Sequence, residues 1–162
     1  MRPVIVVGVR DRRSLPTLVW AADDAAARGG EVVAVHAYPP PVAVPELGFD
    51  PCPVDDGPWL HDLVDREWCR ALRVRGVPYR VVVMAGPAPA VLREVAAHEH
   101  AALLVVGRGR RRRWLRRPMA RLLADASPCP VAVVPALGEA VPSWLFPVAS
   151  LPHVNAVMTS WP

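Results

Sequence analysis

At 162 residues the chain is long enough to bury a core without metal or disulfide staples, and by length it is one domain. A hydrophobic content of 52% excludes a disordered chain, and no apolar run approaches the roughly 20 residues that cross a bilayer. The formal charge is +4, and every one of the 19 basic residues is arginine. Cys52, Cys69 and Cys129 are odd in number and lack a CxxC pair, which argues against a disulfide framework or a zinc site. A strand pattern begins at once, without a signal peptide, so the expected location is the cytoplasm, with no membrane partner.

In chain order, Pro3 to Val9 is a β-branched run ending beside Gly8, as a strand buried on both faces would be. Ser14 is the expected cap of a helix from Leu15 to Arg28. Pro16 is tolerated in its first turn, and Gly29-Gly30 stop it. Leu18, Ala21, Ala22 and Ala25 mark the face laid on the sheet. A second strand, Glu31 to Tyr38, completes a βαβ unit.

Pro39 to Pro58 holds seven prolines and reads as a long loop over the sheet edge. Trp59 to Arg75 predicts an unbroken amphipathic helix with Leu60, Leu63, Val64, Glu67, Trp68, Ala71 and Leu72 along one stripe, ended by Gly76. A third strand (Tyr79 to Ala85), a third helix (Ala88 to His98), a fourth strand (Leu103 to Val106), a short helix (Met119 to Ala126) and a fifth strand (Val131 to Val134) follow. Alternation of this kind predicts an α/β fold, a doubly wound parallel sheet of five strands with helices on both faces. Residues 136–162 break the rhythm. They carry four prolines, Trp144, Phe146, Trp161 and a single charge, and read as an apolar tail that packs on its own body or on a partner.

The stretch most suited to a ligand runs from Leu103 to Pro135. In a parallel sheet, ligands sit where strands end and helices begin, because the first helical N–H groups lack partners there. Between Gly107 and Arg121 lie eight arginines and no acid, whereas the rest of the chain sets 11 arginines against 15 acids. A basic patch on a mildly acidic body attracts anions, and guanidinium groups pair bidentately with phosphate. The alternative is a solvated surface loop.

His98-Glu99-His100 has the wrong spacing for two ligands on one helical face and reads as a fraying helix end. His36 is expected as a core or sheet-edge residue, and Cys129 as a packing residue between Pro128 and Pro130. A nucleophile elbow and a Walker lysine are both missing, so the chain reads as a non-enzyme.

Together, PVIVVGV at the start, LVWAADDAAARGGEVVAVHAY across the first helix and second strand, VVVMAGPAPAVLREVAAHEHAALLVVGRG in the middle and ASPCPVAVVP at the end resemble the universal stress protein family over residues 1–135. The resemblance implies a Rossmann-like sheet of order 3-2-1-4-5, of the adenine nucleotide alpha hydrolase type, and a homodimer through Val131–Val134. It also implies a stress-linked role without enzymatic reaction, and ATP as the candidate cofactor in those members that bind one. Carried over residue by residue, it places a nucleotide against Gly8, Val9, Arg10, Ala37, Gly107, Arg108, Gly109, Arg110, Arg117, Pro118 and Met119.

The chain departs from the pattern at decisive points. The family's acidic position after strand one holds Arg10, with Asp11 one residue later, and the phosphate segment is about three residues short. Where ATP binders carry glycine and a hydroxyl residue stand Arg117 and Pro118, and proline has no N–H to donate. The expectation is therefore a non-catalytic, homodimeric stress-response or regulatory module with a degenerate nucleotide site and no cofactor that its residues demand. Two alternatives remain open. One is a module that takes ATP, AMP or another phosphate anion on the Gly107–Arg121 loop. The other is an interaction module, for a protein docked by the apolar tail or, less favoured, for nucleic acid stacked on Trp114.

Overall fold

The β-branched runs become strands, and the three central ones are buried on both faces. In a computed structural model of the chain, which describes residues 2–38, 57–108 and 119–135, the strands are β1 (Val4–Gly8), β2 (Glu31–Tyr38), β3 (Tyr79–Ala85), β4 (Leu103–Gly107) and β5 (Val131–Val134). They form one sheet in the order β3-β2-β1-β4-β5, and every pairing is parallel. The register sets Val6 of β1 between Val33 of β2 and Leu104 of β4. This is the expected five-stranded, doubly wound sheet.

Side chains alternate across each strand, and the two faces therefore carry separate cores. Ile5, Val7, Val32, Ala34 and Val105 pack under helices α1 (Leu15–Arg28), α2 (Gly57–Leu63) and α3 (Arg70–Val74). Val6, Val33, Val35, Leu104 and Val106 pack under α4 (Ala88–His98) and α5 (Met119–Ala124). The predicted sheet-facing residues of α1, Leu18, Ala21, Ala22 and Ala25, are all fully buried. Gly29 ends that helix in the left-handed region at φ 62°, where glycine is unstrained.

Two local expectations are corrected. Ser14 stands at the N-cap position of α1 but makes no cap hydrogen bond to it. Its hydroxyl turns back and accepts from the N–H groups of Arg10 (3.0 Å) and Asp11 (3.4 Å). The capping residue is Asp11, whose carboxylate accepts from Arg13 N at 2.8 Å and opens a 3-10 turn over Arg12–Ser14. Sequence spacing favoured the residue next to the apolar run, but the cap sits three residues earlier, and the Ser14 hydroxyl accepts from the loop before it rather than from the helix.

The second helix is not one unbroken cylinder. A π-helical turn over Val64–Trp68 separates α2 from α3, and Cys69 N bonds to Val64 O, five residues back, at 2.9 Å. The extra residue rotates the stripe, so Leu60, Val64, Cys69 and Leu72 are buried together. Cys69 takes the core place expected of Trp68, and Trp68 is displaced to the rim. The expected loop over Pro39–Pro58 lies outside the described residues as far as Asp56, while Gly57 and Pro58 already belong to α2. The tail over 136–162 also lies outside them.

Candidate functional site

Because the chain winds from β1 outward to β2 and β3 and then returns to β4, the C-terminal ends of β1 and β4 diverge beneath the loops that follow them. A cleft of about 640 Å³ opens at that switch point. Its floor is Gly8, Val9 and Gly107. One wall is the β1–α1 loop and the first turn of α1, from Arg10 to Thr17. Val35, Ala37, Ala88 and Leu92 form an apolar wall, and Arg108, Met119, Val134 and Pro135 close the opposite end.

Two glycines make room for that floor. A Cβ on Gly8 would come within 3.3 Å of Leu92 Cδ1 and 3.4 Å of Val106 Cγ1. A Cβ on Gly107 would stand 2.9 Å from Thr17 Oγ1, closer than real side chains tolerate. Thr17, only 3% exposed, is the one buried polar residue among those described. It projects from α1 against the end of β4.

Backbone hydrogen bonds hold the floor from both sides. Val9 N donates to Val35 O at 2.8 Å, and Val9 O lies 2.9 Å from His36 Nδ1. Since a carbonyl can only accept, His36 donates through Nδ1. Its ring meets Trp68 edge-to-face, with centroids 5.0 Å apart. An ion pair between Arg12 and Glu67 ties the same loop to the π turn. His36, expected in the core or at the sheet edge, thus fixes the floor of the cleft.

The electrostatics of the loop are lopsided. Its backbone donors are largely consumed within the turn: Arg10 N and Asp11 N go to the Ser14 hydroxyl, Arg13 N to Asp11, and Ser14 N to Asp11 O at 3.0 Å. What faces solvent is guanidinium. The Arg10 side chain is 78% exposed, with Asp11 as a distant partner at 3.7 Å. Arg12, Arg13 and Arg108 line the same cleft. Arg108 N is spent on Val134 O at 2.7 Å. The described α5 helix covers Met119–Ala124, and the loop before it, where the sequence places an anion site, lies outside the described residues.

Of the residues expected to hold a ligand, Gly8, Val9, Arg10, Ala37, Gly107, Arg108 and Met119 line the cleft together. Gly109, Arg110, Arg117 and Pro118 lie outside the described residues, as do Trp114 and most of the basic run. Sequence reasoning missed Thr17, Leu92 and Val134. A threonine in a first helical turn and leucine and valine in core patterns carry no local mark of a cleft wall. Among the described residues no three histidine, cysteine or acidic side chains come together to hold a metal.

Polar groups away from the cleft serve the scaffold. Arg80 of β3 makes a forked pair with Glu99, with one arm at 2.7 Å, and this salt link holds the Glu99 carboxyl below its usual range. Glu99, read as part of a fraying helix end, is thus pinned to the sheet. Tyr79 donates to Asp65 at 2.7 Å, and burial together with that bond raises its phenol to about 12. Burial, then the nearby Asp65 charge, pushes the Cys69 thiol up to about 12.

A doubly wound α/β domain with a ligand-sized cleft at its switch point is the class that this fold and site define. The sequence profile of the universal stress protein family matches residues 1–135, and the chain belongs to that family. Similar solved structures include a universal stress protein from Archaeoglobus fulgidus, 21% identical, covering 83% of this chain and 94% of its own, with a TM-score of 0.62. Another is a universal stress protein in complex with cAMP, 22% identical, covering 83% and 98%, with a TM-score of 0.62. A third, from Archaeoglobus fulgidus in complex with dAMP, is 20% identical and covers 83% and 98%, with a TM-score of 0.60. No curated protein matches the chain in sequence. Among the described residues no helix is long and apolar enough to cross a membrane.

Proposed function

We propose that this chain is a non-catalytic ligand-binding domain of the universal stress protein family, which takes a nucleoside phosphate or a related phosphate anion in the cleft between β1 and β4. The observation that carries this reading is the cleft itself. At about 640 Å³ it falls within the roughly 300–1,000 Å³ typical of small-molecule sites, and it joins an apolar wall suited to a ring with guanidinium groups suited to phosphate. The nucleotides held by two similar structures, cAMP and dAMP, have the same two-part chemistry. Regulation by occupancy, rather than turnover, is part of this proposal.

A specific observation favours the opposing reading, a degenerate site. The N–H groups of Arg10, Asp11, Arg13 and Ser14 are tied up inside the turn and have little left for a phosphate. Calorimetric titration with AMP, ATP and inorganic polyphosphate at two salt concentrations separates the two. A shaped site prefers a nucleotide over polyphosphate, whereas a bare charged surface binds without regard to the base and weakens steeply with salt.

Homodimerisation through β5 is part of the proposal. This strand lies at a sheet edge with Val133 44% exposed, and an apolar edge is usually paired or covered. Val133→Glu is expected to halve the mass by light scattering; an unchanged mass would place the seam elsewhere.

A further inference from the structure

β5 ends the sheet, and its free edge is short. Leu104 N donates to Pro130 O at 2.9 Å and Arg108 N to Val134 O at 2.7 Å, so Pro130 and Val134, and Ala132 between them, turn toward β4. Val131 and Val133 are left pointing their N–H and carbonyl groups outward, and Pro135 beyond them has no N–H. The four strand residues run roughly 13 Å. A stable interface engages roughly 20–30 residues a side, so pairing this edge with its copy leaves most of the contact to be made elsewhere.

The apolar surface beside the edge shows where. Of the four large apolar side chains exposed among the described residues, two belong to α5 and β5: Leu122 at 37% and Val133 at 44%. They share one side of the sheet. Helix α5 packs against β5, and Val133 alternates in step with Val131, which joins the core under α5. As the crossover helix between parallel strands, α5 runs opposite to β5, so Leu122, near the helix end, sits toward the start of β5.

The chain leaves β5 from the other end, at Pro135. A two-fold axis between identical edges sets the two β5 strands antiparallel. Pro135 of one copy then comes beside the start of β5 in the other, the end where Leu122 of the partner subunit lies. Residues 136–162 follow from that point, with Trp144, Phe146, Trp161 and one charge, Glu139. Trp144 is nine positions beyond Pro135, a reach of about 30 Å, more than twice the length of the strand.

We propose that, resting on the β5 seam described above, residues 136–162 of each copy cross the seam and cover Leu122 and Val133 of the partner subunit, with Trp144 and Phe146 as anchors. Large aromatic side chains supply the area that a four-residue edge lacks. The dimer is incomplete without them.

The test is sedimentation velocity of the full chain over a dilution series, on the wild type, on Leu122→Glu and Leu122→Ser, and on Trp144→Ser/Phe146→Ser. Urea midpoints near that of the wild type are expected, since Leu122 is outside the buried core. Each variant should raise the dimer dissociation constant about tenfold or more, the scale of an interface anchor. Leu122→Ser combined with the tail pair should raise it no further than either alone, because both delete one contact. In Leu122→Cys/Trp144→Cys, with the wild type as blank, mild oxidation should join two chains.

A disulfide formed within one chain would lay the tail on its own body and overturn the crossing. So would a dimer that Val133→Glu splits while Leu122→Glu and the tail pair leave its dissociation constant unchanged, an outcome in which the seam itself stands. A full chain that stays monomeric at every concentration removes the seam and the crossing together.

Discussion

Gly107→Ala tests whether the floor of the cleft depends on close packing between a strand end and a helix. The added Cβ would meet Thr17 Oγ1 at 2.9 Å. Thr17 is 3% exposed and β-branched in a helix, so few rotamers are open to it and the neighbour gives way only at a cost. Overpacking of this kind costs about 1–3 kcal/mol, and replacing a strand glycine by alanine returns about 0.5–1 kcal/mol of chain entropy. The net expectation is a loss of about 1–2 kcal/mol in urea denaturation, or about 2–4 °C in melting temperature per kcal/mol.

The second half of the experiment is Gly107→Ala in a Thr17→Ala background. Removing the hydroxyl and methyl of Thr17 opens the space that the new Cβ needs. The two substitutions should therefore couple favourably, by about 1 kcal/mol. A neutral or stabilising Gly107→Ala, or costs that simply add, would refute the contact as the reason for glycine at this position.

Asp11→Ala should cost about 1 kcal/mol by leaving Arg13 N without its cap, and Asp11→Asn should recover most of it; equal losses in denaturation midpoints would count against the cap. Glu99 titrates below its ordinary value of 4.5 because Arg80 holds it. Its contribution is thus fully present above that value and is lost as pH falls through the depressed one, so Glu99→Gln should flatten the acid limb of a stability–pH curve. Tyr79 moves the other way, from 10.0 to about 12. Its stabilising share is intact below pH 10 and fades as pH rises toward 12, and Tyr79→Phe should remove that alkaline dependence. With its thiol raised to about 12 and buried, Cys69 should resist a thiol reagent at neutral pH in the native protein and react once urea unfolds it; rapid labelling of Cys69 in the native state would contradict its place in the core.

The strands were legible because a parallel sheet buried on both faces demands β-branched runs, and Val4–Gly8 and Glu31–Tyr38 satisfy that demand locally. Helix α1 was legible for a similar reason, since its proline, its apolar spacing and its terminal glycine all lie within a few residues. The π turn left no such trace. A period of 3.6 residues places Trp68 inward, and only the sheet beneath decides that Cys69 fits better. The Arg80–Glu99 pair spans 19 residues of sequence and joins two elements that only the winding brings together. In the cleft, Gly8, Arg10 and Gly107 could be found because glycine and arginine stand out from their surroundings. Thr17 could not, because its meaning comes from a neighbour 90 positions away.

Counted as chain length rather than as shape, the π turn is one residue more than the α2–α3 span requires. Removing a residue between Val64 and Cys69 would restore an ordinary α-helical period and leave Leu60, Val64, Cys69 and Leu72 on their present face. A deletion at this point is therefore nearly silent for the core. The trace left by the surplus residue is Trp68 against His36, and through His36 the hold on Val9. A change in length, absorbed at no cost to the sheet, thus becomes a support for the binding floor on the far side of β2.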